Sequence, residues 1–324
     1  MNSQSNFRAS FSTRLARSIR RISLTPIILI LCTGLLLFIL VGVQGCSRNT
    51  QESKLPSTLK IGILPDQNRK VLLKRYTPLF KHISRELGVP YKLIIPDNYE
   101  SLLKLFINGD IDLAYFGGYT FVRAQIQANA FPLVMRDIDL RFTSYFFSKS
   151  SNKIKNLEDF KGKTFSFGSR LSTSGHLMPR LYLSKKRIVP ENFFGAVRYS
   201  GSHDLTAKWV VNETVDIGVA NSKIINNMIH DKIIRKSDIQ IIWETPPYPD
   251  YVWAIQAKYS PIIRSKIRAT FLSLTPLNKI HNQILKSLNT NGFVPASIID
   301  FQLLFEIVHK LKTPQKTSQK ASGK

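Results

Sequence analysis

Cysteine is scarce in this chain of 324 residues, and its placement excludes several classes of protein. The two cysteines, Cys32 and Cys46, both lie near the N-terminus. The rest of the chain therefore has no disulfide, no C-x-x-C redox motif and no thiolate metal site. A chain of this length can bury one or two sizeable cores, so it needs no disulfides for stability.

The short motifs of common enzymes and nucleic-acid-binding proteins are also missing. We find no G-x-S-x-G nucleophile elbow, no Walker motif, no cluster of metal ligands, and no zinc-finger or RNP-like pattern. Ser174, His203 and Asp216 supply the residue types of a catalytic triad, but residue types alone do not indicate catalysis. We therefore expect no enzymatic activity, no cofactor, no metal and no nucleic-acid partner.

Acidic residues are few compared with basic ones. The chain has 21 Asp and Glu against 46 Lys and Arg, a formal net charge of +25. Part of this excess lies at the ends, within Arg8–Arg21 and Lys312–Lys324, and the rest is spread along the chain. Such a charge attracts anionic ligands and anionic surfaces without identifying either.

A long uncharged apolar run occurs once, at Ile27–Val43, after the Arg-rich N-terminus. This order predicts an export segment over residues 1–46, either a signal peptide or an uncleaved anchor. Cys46 follows the run and Gly45, which resembles a bacterial lipobox whose cysteine is lipidated, although Gln44 departs from the small residue usual there. Both alternatives predict an extracytoplasmic, periplasmic location, with the folded part tethered to the membrane by lipid or anchor.

Polar segments flank the part of the chain that we expect to fold. Residues 47–58 are rich in Ser, Gln, Asn and Lys, which predicts a flexible tether. Residues 313–324 consist mostly of Lys, Ser, Thr and Gln, which predicts a disordered basic tail.

Between these segments, the hydrophobic pattern alternates between strands and helices. The predicted strands are Leu59–Leu64, Tyr91–Ile95, Asp112–Phe116, Phe131–Met135, Thr164–Phe167, Ala196–Tyr199, Val215–Ala220, Gln240–Glu244 and Val252–Gln256. The predicted helices are Val71–Leu87, Tyr99–Asn108, Tyr119–Gln127, Ser174–Lys186, Ser202–Asn212 and Asn221–His230, with three more before Lys312. This alternation predicts an α/β fold with parallel sheets flanked by helices.

The alternation stops and restarts, which indicates two α/β lobes. We expect lobe 1 over residues 59–142 and 252–312, and lobe 2 over residues 143–251. Two extended crossings, near Phe142–Phe147 and Tyr248–Val252, would act as hinges around a ligand cleft.

Loops at the carboxyl ends of the predicted strands hold most of the clustered Gly, Ser, Tyr and His residues. These loops are Pro65–Asn68, Phe116–Thr120, Gly168–Ser174, Ser200–Asp204, Ala220–Lys223 and Thr245–Tyr251. Ligands of α/β proteins bind beyond the carboxyl ends of strands. The convergence of these loops predicts a polar cleft for an anion.

The stretch Thr164–Arg180 has a strand, then the consecutive hydroxyls Ser172, Thr173 and Ser174, then the start of a helix. The free N–H groups of a helix's first turn and the helix dipole favour an anion at that position. Ser and Thr are also common helix caps, so a well-capped helix without a ligand is the alternative.

Several of these segments, taken in order, resemble the phosphonate/phosphite-binding (PhnD-type) family of ABC-transporter solute receptors. The resemblance covers roughly residues 58–310 and is carried by Leu59–Asp66, Gly109–Tyr119, Phe160–Phe165, Ser172–His176 and Gly201–Asp204. Three further segments, Phe121–Ala124, Gly175–Arg180 and Thr245–Tyr248, resemble a branch of that family labelled as selenate receptors.

The resemblance implies a type II periplasmic-binding fold that closes on a small oxyanion. It assigns the anion oxygens to the hydroxyls of Ser172, Thr173 and Ser174 and to helix amides, with His203 donating from across the cleft. It places Tyr119 and Thr120 in the wall of lobe 1, and Asp250 or Tyr251 at the closing side. A structural alternative remains open for four residues: His203 as a helix-start histidine, Tyr115 and Phe116 as core residues, and His176 as a residue that packs on its own helix.

The expected ligand class depends on one departure from the family and on Asp250. Family members that bind aminophosphonates carry a carboxylate shortly after the Val215–Ala220 strand, where this chain has Asn221-Ser222-Lys223. A lysine repels an ammonium group, which argues for an amine-free oxyanion. A carboxylate that faces an anion needs a shared proton, and phosphoryl groups keep one with a pKa of about 6. Selenate and sulfate have none.

The function implied is therefore that of a monomeric receptor of an ABC importer. It would bind phosphite, phosphate or an alkylphosphonate by closing its lobes and deliver the ligand to a permease in the inner membrane. The alternatives are a receptor of the same transporter class for selenate or another oxyanion, and an anion-sensing lipoprotein that signals to a membrane partner.

Overall fold

The computed structural model describes residues 54–152 and 154–312. The predicted export segment with Cys46, most of the predicted tether and the predicted basic tail lie outside the described residues. Within the described residues, no helix has the length and apolar character needed to cross a membrane.

The first lobe, which we call lobe 1, is built on a six-stranded sheet of order β11-β4-β10-β3-β1-β2. Its strands are β1 (Leu59–Ile63), β2 (Tyr91–Ile94), β3 (Leu113–Phe116), β4 (Phe131–Arg136), β10 (Val252–Ile255) and β11 (Phe293–Pro295). Its helices are α1 (Arg69–Leu87), α2 (Tyr99–Ile107), α3 (Gly118–Ala128), α8 (Pro261–Leu272), α9 (Lys279–Ser287) and α10 (Gln302–Lys312), with 3₁₀ turns at Asp137–Arg141 and Ile299–Phe301.

The second lobe, lobe 2, is built on a five-stranded sheet of order β7-β6-β8-β5-β9. Its strands are β5 (Ser144–Lys149), β6 (Thr164–Phe167), β7 (Ala196–Tyr199), β8 (Ile217–Asn221) and β9 (Ile239–Glu244). Its helices are α4 (Met178–Lys185), α5 (Pro190–Phe193), α6 (His203–Val211) and α7 (Ser222–His230), with 3₁₀ turns at Leu157–Phe160 and Lys236–Asp238 and a π-helical turn at Thr173–Leu177.

Both sheets are mixed, so the prediction of parallel sheets is wrong for part of each. Strands β1, β2 and β3 are parallel, as are β6, β7 and β8. Strand β10 runs antiparallel to β3 and β4, and β5 runs antiparallel to β8 and β9. Each of these two strands follows a connection from the other lobe. A buried apolar run has the same pattern in either direction, so hydrophobicity does not reveal this reversal.

Other elements also differ from the prediction. Most of the predicted crossing Phe142–Phe147 belongs to β5, which pairs with β8 and β9 in the sheet of lobe 2. The predicted helix Ser174–Lys186 is a π-helical turn followed by α4, and the three-residue strand β11 was missed within the predicted C-terminal helices. Such a short strand lacks the alternating run from which a strand is recognised.

Helix ends follow local sequence signals. The side chain of Asn68 caps α1 by accepting from the N–H of Lys70, and Gly88 ends that helix in the left-handed conformation at φ 68°. The side chain of Asn98 caps α2 by accepting from the N–H of Ser101. These caps account for the close agreement between the predicted and observed helix ends.

The cores of the two lobes are organised differently. Lobe 1 has one continuous core, in which the buried Trp253 contacts the rings of Tyr76, Phe80, Tyr115 and Phe271. Lobe 2 has two smaller clusters. Phe146 and Phe147 of β5 belong to different clusters, because successive side chains of a strand point to opposite faces.

The two connections between the lobes run side by side. Phe142 and Tyr248 form an antiparallel bridge, in which each N–H donates to the other residue's carbonyl at 2.7 and 2.9 Å. The chain therefore passes between lobes through one paired segment next to the cleft.

Candidate ligand-binding site

The loop after β6 is held in a tight arch by its own backbone. The N–H of Gly168 donates to the carbonyl of Gly175 at 2.8 Å, and the Ser172 hydroxyl accepts from the N–H of Gly175 at 2.9 Å. A Cβ on Gly175 would lie 3.0 Å from both Ser172 Oγ and His203 Cε1, so glycine permits this approach. The chain then forms a π-helical turn, a rare element that is frequent at functional sites.

The three hydroxyls in this loop have different environments. Ser172 caps the turn, and Thr173 Oγ1 accepts from the N–H of Tyr119 in lobe 1 at 2.9 Å. Ser174 Oγ is buried and has no hydrogen-bond partner among the described residues. The N–H groups of Thr173 and Ser174 lie in the first turn of this element, where the helix itself provides no acceptor. This loop therefore presents unused donors at the start of a helix.

His203 is a neutral donor whose orientation is set by its neighbours. Its Nδ1 accepts from the N–H of Asn221 at 3.2 Å, which places the ring proton on Nε2. Nε2 is buried without a partner among the described residues. Burial lowers the pKa of His203 to about 3, so the ring stays neutral at physiological pH. Its first-turn backbone N–H donates to the carbonyl of Asp66 in lobe 1 at 3.0 Å.

Asp250 places a carboxylate beside these donors. Its Oδ1 accepts from the N–H of Gly118 at 3.0 Å, whereas Oδ2 is buried with no partner in the described residues. Burial raises the pKa of Asp250 from 3.8 to about 7, although the N–H of Gly118 and the nearby hydroxyls of Thr173 and Ser174 favour the ionised form. Asp250 can therefore hold or share a proton near neutral pH.

Tyr99, Asp66 and Asn221 were not in the predicted site. Tyr99 begins α2, and its buried hydroxyl has no partner among the described residues. Burial, together with the charges of Asp66 and Asp250, raises the pKa of Tyr99 well above its ordinary value, so it remains a donor. Asp66 accepts from the Tyr251 hydroxyl at 2.8 Å, and burial raises the pKa of Asp66 to about 6.

A signal for two of these residues was present in the sequence. Asp66 and Asn221 lie in predicted strand-end loops, Pro65–Asn68 and Ala220–Lys223, and each is the polar residue directly beyond an apolar run. Tyr99 stood at the start of a predicted helix, where its aromatic ring is equally typical of a core residue.

Four buried polar atoms without partners belong to neighbouring residues of this cleft, and we call them the anion cluster. They are Tyr99 Oη, Ser174 Oγ, His203 Nε2 and Asp250 Oδ2. Across the described residues there are eight such side-chain atoms, so half of them lie in this cluster. Native proteins leave few buried polar groups unsatisfied, and each one requires an explanation. Three neutral donors beside one carboxylate match an oxyanion that carries or shares a proton.

The cleft is closed by hydrogen bonds between the lobes. The Thr120 hydroxyl donates to the carbonyl of Leu171 at 3.0 Å, and Asn221 Nδ2 donates to the Tyr251 hydroxyl at 3.3 Å. Of the predicted wall residues, Tyr119 therefore contributes its backbone N–H, while Thr120 and Tyr251 use their hydroxyls for lobe-to-lobe contacts. The half-buried side chain of Tyr119 packs against the core of lobe 1.

The remaining candidate residues lie outside the anion cluster. Asp216 accepts from both the N–H and the hydroxyl of Thr164 at 2.7 Å, so it is engaged away from His203. His176 packs edge-on against the Phe167 ring, and its Nδ1 lies 2.8 Å from the carbonyl of Arg170. Tyr115 and Phe116 are core residues of lobe 1. Among the described residues, no group of three His, Cys, Asp or Glu side chains is placed to hold a metal ion.

Several known proteins are similar to this chain in sequence. A family model described as "ABC transporter, phosphonate, periplasmic substrate-binding protein" matches residues 61–301. The probable ABC transporter phosphite binding protein PhnD1 of Prochlorococcus marinus is 34% identical over 268 residues, which cover 79% of this chain and 90% of that protein. The phosphate-import protein PhnD of Mycolicibacterium smegmatis is 25% identical over 253 residues, which cover 74% and 78%.

A solved structure resembles most of the chain. PhnD1 of Prochlorococcus marinus in complex with methylphosphonate superposes with a TM-score of 0.75 at 32% identity, over 79% of this chain and 99% of that one. This likeness confirms the predicted type II periplasmic-binding fold with two α/β lobes.

Proposed function

Because this chain belongs to the family of periplasmic substrate-binding proteins of phosphonate ABC transporters, we propose that it binds a small phosphorus oxyanion in the closed cleft. The ligand would be phosphite, phosphate or an alkylphosphonate, and the closed form would deliver it to the permease. The relatives named for phosphite and phosphate, and the structure containing methylphosphonate, support this ligand class.

The anion cluster is the observation that carries this proposal. Tyr99, Ser174 and His203 each have an unused buried donor, and Asp250 has an unused buried acceptor. An oxyanion with three or four oxygens can accept from all three donors while sharing its proton with the carboxylate. Neutral donors that are already oriented bind such an anion without the desolvation of a buried cation.

Asp250 favours a phosphorus ligand over selenate or sulfate. Two buried negative charges without a proton between them are costly. Phosphoryl groups keep a proton with a pKa of about 6, and the pKa of Asp250 is about 7, so one proton remains between them near neutral pH. With selenate or sulfate, only Asp250 could supply that proton.

The side of the cleft near Asn221 does not favour an amine on the ligand. Asn221 Oδ1 already accepts from the N–H of Ile224, and the lysine two residues later, Lys223, would repel an ammonium group. Asp66 is the carboxylate on this side, and its Oδ2 is bonded to the Tyr251 hydroxyl. We therefore propose an amine-free ligand.

Calorimetric titration of Glu52–Lys324, which forms one compact unit, tests the proposed function. The panel is phosphite, phosphate, methylphosphonate, 2-aminoethylphosphonate, selenate and sulfate at pH 7. We expect binding of at least one amine-free phosphorus oxyanion, with selenate and sulfate at least about tenfold weaker, a difference of about 1.4 kcal/mol. Preference for selenate would contradict the ligand class, and no binding across the panel would contradict the receptor function.

We also propose that this receptor is a monomer without catalytic activity, tethered at the periplasmic face of the inner membrane. The residues Val43–Cys46 support tethering by lipid at Cys46 or by an uncleaved anchor. Labelling with a radioactive fatty acid distinguishes the two, because only a lipid-tethered protein incorporates the label and loses it in Cys46→Ala; cell fractionation shows whether the chain is tethered at all. Recovery of the unaltered chain in the released fraction would contradict both.

A further inference from the structure

A cavity of about 260 Å³ lies next to the anion cluster but shares none of its four atoms or their residues. Its lining includes Asp66, Asn221 and Tyr251 together with two basic residues, Arg75 and Lys223. It is therefore a separate space at the interface of the two lobes, large enough for several carbon atoms.

Asp66, Tyr251 and Asn221 form a hydrogen-bonded wall between this cavity and the anion cluster. The Tyr251 hydroxyl donates to Asp66 at 2.8 Å and accepts from Asn221 Nδ2 at 3.3 Å. On the other side, the same residues touch the cluster: the N–H of Asn221 bonds to His203 Nδ1, and the carbonyl of Asp66 accepts from the N–H of His203. Tyr251 directly follows Asp250 in the chain.

The wall is held in place from several directions. The ring of Tyr251 stacks on Tyr115 with centroids 5.1 Å apart at 13°, and it meets Phe142 edge-on at 5.5 Å. The guanidinium carbon of Arg136 lies 5.6 Å from its centroid. Asn221 is fully buried and uses its side-chain oxygen to cap α7. Each wall residue is buried, and no side chain in it is free to swing aside without breaking one of these contacts.

We propose that this wall sets the ligand's length, so that a hydrogen or one methyl group on phosphorus fits and a longer substituent does not. The inference rests on the proposed function and adds its size limit. An ethyl or propyl group directed at the wall must either overpack the buried site or open the wall to reach the cavity. Asn221 is the residue whose shortening opens it, because its bond to His203 is made by the backbone and survives substitution.

The test is a calorimetric series of methyl-, ethyl- and propylphosphonate on the unaltered chain and on Asn221→Ser. Serine shortens the side chain but keeps an oxygen that can cap α7. On the unaltered chain we expect ethylphosphonate to bind at least about tenfold more weakly than methylphosphonate, a typical consequence of overpacking. On Asn221→Ser we expect this ratio to fall to about threefold or less, while methylphosphonate itself binds a few-fold more weakly because the bond to the Tyr251 hydroxyl is lost.

Two further variants keep the result interpretable. Asn227→Ala alters the same cavity away from the wall, since Asn227 Oδ1 accepts from Asn289, and should leave the ethyl-to-methyl ratio unchanged. Tyr251→Phe keeps the ring but removes the hydroxyl that joins the wall, so it should also narrow the ethyl-to-methyl affinity ratio. It provides the test if Asn221→Ser fails to fold. The proposed size limit is wrong if the unaltered chain binds ethyl- and methylphosphonate equally. It is also wrong if Asn221→Ser and Tyr251→Phe fold but keep the ethyl-to-methyl affinity ratio of the unaltered chain. Failure of every phosphonate to bind the unaltered chain would also overturn the wall, whereas the proposed function is overturned only if phosphite and phosphate fail to bind as well.

Discussion

The two lobes contribute different chemistry to the cleft. Lobe 2 supplies two neutral donors, Ser174 Oγ and His203 Nε2, whereas lobe 1 supplies one, Tyr99 Oη, and holds the carboxylates of Asp66 and Asp250. Asp250 comes from a connection between the lobes, yet its Oδ1 and its backbone N–H bond to Gly118 and Asp139 of lobe 1. In the described part of the chain, neither Asp66 nor Asp250 forms an ion pair. The net charge of +25 therefore attracts anions at a distance, while uncharged groups would hold them in the proposed site.

This division gives a physical reason for the proposed binding by closure. The donors of lobe 2 alone form an incomplete shell, and the carboxylates of lobe 1 alone repel an anion. A complete site exists where both meet, so each lobe contributes a separately testable part of the affinity.

The largest effect is expected from removing a donor of lobe 2. His203→Ala deletes the Nε2–H donor, and a hydrogen bond to a charged group contributes about 1.5–3 kcal/mol. We expect methylphosphonate affinity to fall about 100-fold in titration calorimetry. His230→Ala is the matched control in the same lobe, since His230 lies at the exposed end of α7. Unchanged affinity in a folded His203→Ala would show that lobe 2 does not donate through this ring.

The second-largest effect is expected from replacing the carboxylate of Asp250. Asp250→Asn removes the acceptor for the ligand's proton but leaves an amide that can accept from Gly118 and donate to the anion. We expect phosphite or methylphosphonate to bind at least about tenfold more weakly, while sulfate and selenate gain relative affinity. Competition titration of sulfate against methylphosphonate measures this exchange, with Asp231→Asn as a surface control. If the ratio of sulfate to methylphosphonate affinity is unchanged in Asp250→Asn, Asp250 does not accept the ligand's proton.

The same carboxylates make stability depend on pH. The pKa values of Asp66 and Asp250, raised by burial to about 6 and about 7, mean that the folded protein binds protons that the unfolded chain has released. The free energy of unfolding of the ligand-free protein therefore contains a contribution that falls as pH rises from about 4 to 7. His203, whose pKa is lowered to about 3, acts oppositely, since its charging destabilises the fold as pH drops below 6.5.

Comparison with a variant isolates the acidic contribution. Asp250→Asn should be more stable than the unaltered chain at pH 8, by on the order of 1–3 kcal/mol, with the difference shrinking towards pH 4. Urea unfolding at pH 5, 6.5 and 8 measures it. A stability difference that stays constant across these pH values would mean that Asp250 is not held against ionisation.

A smaller effect is expected where the loop of lobe 2 meets His203. Gly175→Ala adds a Cβ 3.0 Å from His203 Cε1 and Ser172 Oγ, so the ring or the loop must shift. We expect about tenfold weaker binding of methylphosphonate, since overpacking costs about 1–3 kcal/mol. Gly292→Ala, where a Cβ meets no atom within 4 Å, is the control and should bind normally. Equal affinity in both variants would show that this close approach does not position His203.

The smallest effect concerns closure alone. Thr120→Val removes the hydroxyl that donates to the carbonyl of Leu171 across the cleft and keeps the side-chain shape. The closed form loses one hydrogen bond, about 0.5–1.5 kcal/mol, so affinity should fall a few-fold. Stopped-flow binding should show the loss mainly as faster dissociation. If Thr120→Val releases the ligand no faster than the unaltered chain, the bond does not stabilise the closed form.

Local sequence alone determined most helices and strands of this protein. Strand Thr164–Phe167 and the end of α1 at Gly88 were predicted at their observed positions, because apolar periodicity and a left-handed glycine act within a few residues. The consecutive hydroxyls of Ser172–Ser174 and the segment at His203 were likewise visible as strand-end features. Interactions within a few residues of the chain act independently of the tertiary structure.

Tertiary structure decided the strand directions and the membership of the site. Strand β10 reads as any buried strand, and its antiparallel place between β3 and β4 follows from the return of the chain from lobe 2. The Tyr251 hydroxyl bonds to Asp66, 185 positions away in the chain, and no local pattern reports such a pair. Tyr99 and Asp250 have unsatisfied atoms only because folding buries them beside one another. A residue's type sets which bonds it can make, whereas burial and long-range contacts decide which of those bonds are left for a ligand.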